Sequence, residues 1–289
     1  MKRIVRTLLA VVVVSLAPAG CHSRVMELVD RPRSFANVAM QDVTFYSDSL
    51  KHNATYRVYL PANRNGSGKL PVVYLLHGGG GDFRDWSNRS DVGQYASRGL
   101  ILVMPEGAFS YWVNSALVPA DRYEDFLVRD LPADVERRFS AAGDREHRSV
   151  VGISMGGFAA VELALKRPDL FAFAGALSPA INAPAKRFSW TRWGQSMRLR
   201  KTFGDDGSEK RRAVDPFVLV KTADSAQTPY LYIGSGDNEP LRRPIERFVE
   251  RLKERGFVYE YHTKPGGHGW DEWNAQVPGC FESLLSKIR

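Results

Sequence analysis

The 289-residue sequence contains only two cysteines, Cys21 and Cys280, and no CxxC pair. Its six histidines are dispersed, so nothing has the ligand spacing of a metal site, and neither a metal nor another cofactor is expected. At most one disulfide can form within the chain, which excludes a cystine-stapled scaffold. Internal repeats and low-complexity segments are absent. Neither GxGxxG nor GxxxxGK[ST] occurs, so the glycine-rich stretch at residues 77–81 lacks the marks of a nucleotide-phosphate loop. No nucleic-acid motif accompanies the net charge of +8, which reads as a basic surface that attracts anionic surfaces or substrates. Nucleic acid is not an expected partner. Hydrophobic residues at 44% and charged residues at 25% are ordinary for a globular protein, and the length suits one large α/β domain.

The apolar run Leu8 to Leu16 is too short to span a membrane as a mature helix. It follows Lys2, Arg3 and Arg6 and precedes Ala17, Ala19, Gly20 and Cys21, which is the pattern of an export signal over residues 1–20. Ala-Gly-Cys resembles a bacterial lipobox, in which Cys21 would be acylated and become the mature N-terminus. Pro18 replaces the usual aliphatic residue, so an ordinary secretory peptide cut near Ala19 is the alternative. The expected location is therefore outside the cytoplasm: a lipoprotein on the periplasmic or cell-surface side of a membrane, or a secreted or periplasmic protein. Acylation of Cys21 would leave Cys280 a lone thiol. Without it, a Cys21–Cys280 bridge becomes available.

After a polar spacer over residues 21–36, a single domain is expected from residue 37 to 289. Val38 to Tyr46 and Ala54 to Leu60 alternate apolar and polar residues, as antiparallel edge strands do. Leu70 to Leu76, Gly99 to Met104, Ser149 to Ile153, Ala172 to Leu177 and Tyr230 to Ile233 are apolar runs that suit strands buried on both faces, and Val258 to Thr263 closes the series. Helices are predicted over Asp121 to Phe139 with a break at Pro132, Phe158 to Lys166, Arg243 to Arg255, and Gly279 to Ile288. The alternation predicts a mostly parallel α/β sheet with helices on both faces. Residues 180–224, rich in arginine and carrying Phe188, Trp190 and Trp193, form an irregular excursion, either a cap or a connection folded against the body.

Chemistry concentrates at four places. Gly152-Ile153-Ser154-Met155-Gly156 is a GxSxG sequence between a strand-like and a helix-like run, where a sharp turn would raise the Ser154 hydroxyl above the sheet edge. His77 to Gly81 follows the first buried strand, where backbone N–H groups can face a small cavity. Gly79, or else Gly80, and Met155 are the candidate oxyanion donors. The order Ser, acid, His limits the base to histidines after residue 154. His262 lies on a strand, whereas His268, in Pro265-Gly266-Gly267-His268-Gly269-Trp270, lies in a loop that can reach Ser154. Asp237 at the tip of Gly234-Ser235-Gly236 is the favoured acid, with Asp215, Asp224 and Glu239 as rivals.

With these residues assembled, the chain resembles the esterase D-like family of α/β-hydrolases, which includes S-formylglutathione hydrolases, feruloyl, acetyl-xylan and tributyrin esterases, and mycolyltransferases. The resemblance runs from about Val43 to Leu285. Its carriers are Leu75-Leu76-His77-Gly78 with Trp86, Tyr123-Glu124-Asp125-Phe126, Gly152 to Gly157, Gly234 to Asp237, and Pro265 to Trp270 with Trp273. It implies an α/β-hydrolase fold and a cofactor-free serine hydrolase working through an acyl-enzyme. An exported esterase of short-acyl or aromatic-acid esters, including carbohydrate-linked ones, is the expectation. Acyl transfer to a carbohydrate or lipid, or silent binding on the same scaffold, are the alternatives. Trp112, Trp190 and Trp193 are candidates for acyl-pocket or sugar-stacking roles, with core packing as the competing role.

Overall fold

The computed structural model describes residues 29–62 and 68–288. The predicted signal segment and Cys21 lie outside the described residues. Eight strands form one sheet: β1 (Val38–Ser47), β2 (His52–Pro61), β3 (Val72–Leu76), β4 (Ile101–Pro105), β5 (Arg148–Ile153), β6 (Phe173–Leu177), β7 (Tyr230–Gly236) and β8 (Tyr259–Lys264), in the order β1-β2-β4-β3-β5-β6-β7-β8. β1 and β2 are antiparallel, and β2 meets β4 antiparallel. Every pair from β4 to β8 is parallel. All eight predicted strands are present, with ends displaced by a few residues at most.

The buried runs serve two cores at once. Successive residues of β3, Val72, Val73, Tyr74, Leu75 and Leu76, alternate between a cluster on one sheet face and a cluster on the other. This is why their sequences show no polar alternation. One face is covered by α2 (Met155–Lys166) and α4 (Arg242–Glu254), and the other by α5 (Trp270–Lys287). Of these, α4 is the most clearly one-sided: Ile245, Phe248 and Leu252 are buried while the opposite face is charged.

Three local outcomes differ from the helix pattern predicted by sequence. Pro132 does not break its segment: it stands at the second position of α1 (Leu131–Phe139), and the backbone before it is already helical, so the stretch runs on through it. A π-turn over Phe126–Asp130 precedes it. The last helix begins at Trp270, nine residues before the predicted start, and carries Pro278 inside it. The excursion at 180–224 lies against the body. It holds α3 (Trp193–Phe203) and two single-turn helices, and Ala116 N–H donates to the Thr202 carbonyl at 2.8 Å. Residues 31–36 also dock, with Tyr59 donating to the Arg33 carbonyl at 2.7 Å.

Candidate active site

The turn between β5 and α2 carries Ser154 at φ 51° and ψ −106°, in the left-handed half of backbone space that a side chain rarely adopts. Close packing holds it there. A Cβ added at Gly152 would stand 2.2 Å from the Gly156 carbonyl carbon, and one at Gly156 would stand 2.3 Å from the Leu76 carbonyl oxygen. The first and last glycines of GxSxG are therefore required by the contact of α2 with β3 and β5. The Ser154 carbonyl accepts from both Phe158 N–H and Ala180 N–H at 2.9 Å, and its own N–H donates to Leu177.

β3 ends in the glycine loop that faces this turn. A Cβ on Gly78 would lie 3.5 Å from Ser154 Cβ, and one on Gly79 would lie 2.7 Å from the Phe109 ring. Gly78 thus lies against the nucleophile's turn, Gly79 follows it in the same loop, and Met155 opens α2 directly after Ser154. His77 is a buried brace for this loop. Its Nε2 accepts from Gly107 N–H at 3.0 Å, which leaves Nδ1 as the protonated nitrogen that donates to the Gly78 carbonyl at 2.8 Å.

His268 reaches Ser154 from the loop between β8 and α5. Its Nε2 lies 2.8 Å from Ser154 Oγ, and its Nδ1 lies 2.9 Å from Glu239 Oε2. The Glu239 side chain is fully buried, and its other oxygen accepts from Gly236 N–H at 3.2 Å. The His268 ring packs edge-to-face on Trp273 at 5.3 Å, in the first turn of α5. Imidazole orientation is thus fixed by a carboxylate on one side and an indole on the other.

The structure pairs His268 with Glu239 and not with Asp237. Asp237 ends β7 in an exposed turn, and its Oδ1 accepts from Gly266 N–H at 3.0 Å, so it holds the histidine loop rather than the histidine. Two residues further on, the chain has turned inward, and the longer side chain of Glu239 spans the gap to the ring. The remaining rivals are turn formers: Asp215 accepts from Phe217 N–H at 2.9 Å and Asp224 from Ala226 N–H at 2.9 Å. His262 lies on β8, stacked on Tyr232 and paired with Glu260 at 2.8 Å, far from any role at Ser154.

A further carboxylate, which sequence reasoning missed, backs the histidine loop. Glu272 on α5 is buried; it accepts from Ser178 at 3.0 Å and from Gln276 at 2.9 Å, and its stem packs under Gly266. Burial raises its pKa above the usual carboxylate range despite these donors. An acid at the fourth residue after a histidine carries no recognisable pattern, so only its depth in the fold exposes it.

Of the three tryptophans considered for substrate contact, Trp112 is fully buried. It packs on Gly107 and edge-to-face on His77 at 5.1 Å, which makes it a support of the glycine loop and removes it from any pocket wall. Trp190 and Trp193 are 81% and 57% exposed at the start of α3. Neither makes a ring contact or hydrogen bond with Ser154 or His268. Cys280 keeps a free, buried thiol.

The family model described as "Putative esterase" matches residues 47–283. The chain belongs to this esterase family. It is 26% identical over 268 residues to the acetyl esterase of Caldicellulosiruptor saccharolyticus, across 87% of this chain and 99% of that one. It is 25% identical over 268 residues to an endo-1,4-beta-xylanase/feruloyl esterase of Xylanibacter ruminicola, across 86% of this chain and 31% of that larger protein. Among solved structures it resembles an S-formylglutathione hydrolase from Agrobacterium tumefaciens, with a TM-score of 0.76 and 21% identity over 90% of this chain and 99% of that one. That likeness establishes the α/β-hydrolase fold. The protein is thus an esterase of carboxylic ester bonds, as the resemblance implied.

Proposed function

We propose that this esterase is an exported serine carboxylesterase that cleaves short-acyl or aromatic-acid esters through an acyl-enzyme on Ser154. The observation that carries the proposal is the continuous line Glu239–His268–Ser154, with hydrogen bonds of 2.9 and 2.8 Å. His268 Nε2 takes the proton of Ser154 Oγ as the hydroxyl attacks the ester carbonyl. Glu239 fixes the tautomer with the proton on Nδ1 and stabilises the imidazolium that forms. The N–H groups of Gly79 and Met155 receive the developing oxyanion. His268 then returns the proton to the leaving alcohol, and water, activated by the same nitrogen, releases the acid.

Kinship to an acetyl esterase and to a feruloyl esterase domain supports small or aromatic acyl groups on carbohydrate alcohols. The test is acyl-chain profiling on chromogenic esters with wild type and Ser154→Ala in parallel. We expect turnover of the short or aromatic members and a loss of about 10⁶-fold in the variant. Retained turnover in Ser154→Ala would overturn the assignment. Export and anchoring rest on the N-terminal pattern through Cys21. Cys21→Ser should move the protein from the membrane fraction to the soluble one, and persistence in salt-washed membranes would reject the lipid anchor.

A further inference from the structure

A cavity of about 410 Å³ lies between the loop after β4 and helix α3, walled by Phe109, Asp121, Tyr123, Arg198, Lys201 and Thr202. It is of the size that ligand sites occupy. It abuts the predicted oxyanion loop directly, because Phe109, on its wall, is the ring that closes against Gly79. Three side-chain-bearing residues of this loop are in the left-handed region: Ala108 at φ 48°, Tyr111 at φ 54° and Trp112 at φ 61°. Each such residue costs about 1–3 kcal/mol and persists only where surrounding structure enforces it. Here the enforcement is visible: Tyr111 packs on Phe158 of α2 and Phe203 of α3, and Trp112 on His77. This packing fixes Phe109 between the glycine loop and the cavity.

The charges around the cavity are not balanced. Lys201 is bound to Asp121 at 3.0 Å, and the neighbouring Arg200 to Asp205. Arg198 instead lies over the Phe109 ring, its guanidinium carbon 4.4 Å from the ring centroid, with no carboxylate partner among the described residues. A ring face orients a guanidinium while leaving its in-plane donors free for a bidentate acceptor. Residues 186–212 contribute nine Lys or Arg against three Asp or Glu, so the surrounding field is positive.

We propose that this cavity is a carboxylate-recognising subsite, in which Arg198 selects esters that carry a second, unesterified carboxylate within reach of the reacting carbonyl. The proposal rests on the serine-esterase reading above and names its substrate class. The carboxylate could lie on the acid half of the ester or on its alcohol half, and the two are separable. The measurement is kcat/KM for two matched pairs: 4-nitrophenyl hemiglutarate against 4-nitrophenyl valerate, and 3-acetoxybenzoate against phenyl acetate. Each pair is run on wild type, Arg198→Gln and Arg198→Lys.

Wild type should favour the charged member of one pair by about tenfold or more, the worth of a charge-assisted hydrogen bond. The preference should appear in KM and weaken with salt. Arg198→Gln should bring that ratio near unity, and Arg198→Lys should keep part of it. Because each ratio is taken within one variant, the amount of folded protein cancels. Turnover of the neutral esters without a carboxylate preference in either pair would overturn the subsite and leave the esterase reading intact. A preference that survives in Arg198→Gln would also overturn it. Turnover of no ester by wild type would overturn both readings.

Discussion

Around Ser154 the chain has no room to vary, whereas the His268 loop is held by side chains, two from the turn after β7 and one from α5. The nucleophile's turn is set by backbone against backbone: Gly152 meets Gly156, and Gly156 meets Leu76, at distances no side chain tolerates. The histidine loop is held by Glu239 on the ring, Asp237 on the Gly266 N–H, and Glu272 beneath Gly266. A steric requirement admits one residue type. A polar one admits any group of suitable length that arrives at the same point, so the two halves of one site leave different marks on a sequence.

Substitutions can separate the two halves of the site. The largest effect should come from His268→Ala, with turnover falling by about 10⁶-fold, as for loss of the nucleophile. His262→Ala should stay within a few-fold of wild type, and the reverse ranking would move the base onto β8. Next, Glu239→Gln should cost about 10⁴-fold in kcat, because the imidazole loses the group that fixes its tautomer. Asp237→Asn keeps an oxygen for Gly266 N–H and should cost less than about tenfold. Equal losses in these two variants would mean that the carboxylates share the role.

The smallest effect concerns Glu272. Its pKa is raised by burial, so the folded state holds this proton more tightly than the unfolded chain does. As pH climbs past the unfolded value of about 4.3, the unfolded chain ionises first and stability falls, until pH exceeds the folded value. Glu272→Gln should therefore flatten the decline of unfolding free energy with pH over that window, as read by denaturant titration at several pH values. An unchanged slope would show that the burial cost is fully offset by Ser178 and Gln276.

The same contrast explains what could be read from the residues alone. The strands were legible because burial on both faces demands unbroken apolar runs, and Ser154 because its glycines have no substitute. His268 was legible because it was the one late histidine in a loop. The acid was not: Asp237 stands at the tip of the predicted turn, and choosing Glu239 requires knowing which way the chain runs for two more residues. The start of α5 was hidden for a similar reason, since Pro278 and Gly279 read as stops while the packing of Trp273, Val277 and Cys280 carries the helix past them. Trp112 has the composition of a pocket wall and the position of a brace.

The nucleophile precedes its base by 114 residues, and the turn that strains it uses only β3, β5, β6 and α2. On a growing chain those parts leave the ribosome first. The segments that shape the serine's turn are thus made before Glu239 and His268. A fragment that ended before β7 would hold every strand and helix of the nucleophile's turn and neither Glu239 nor His268.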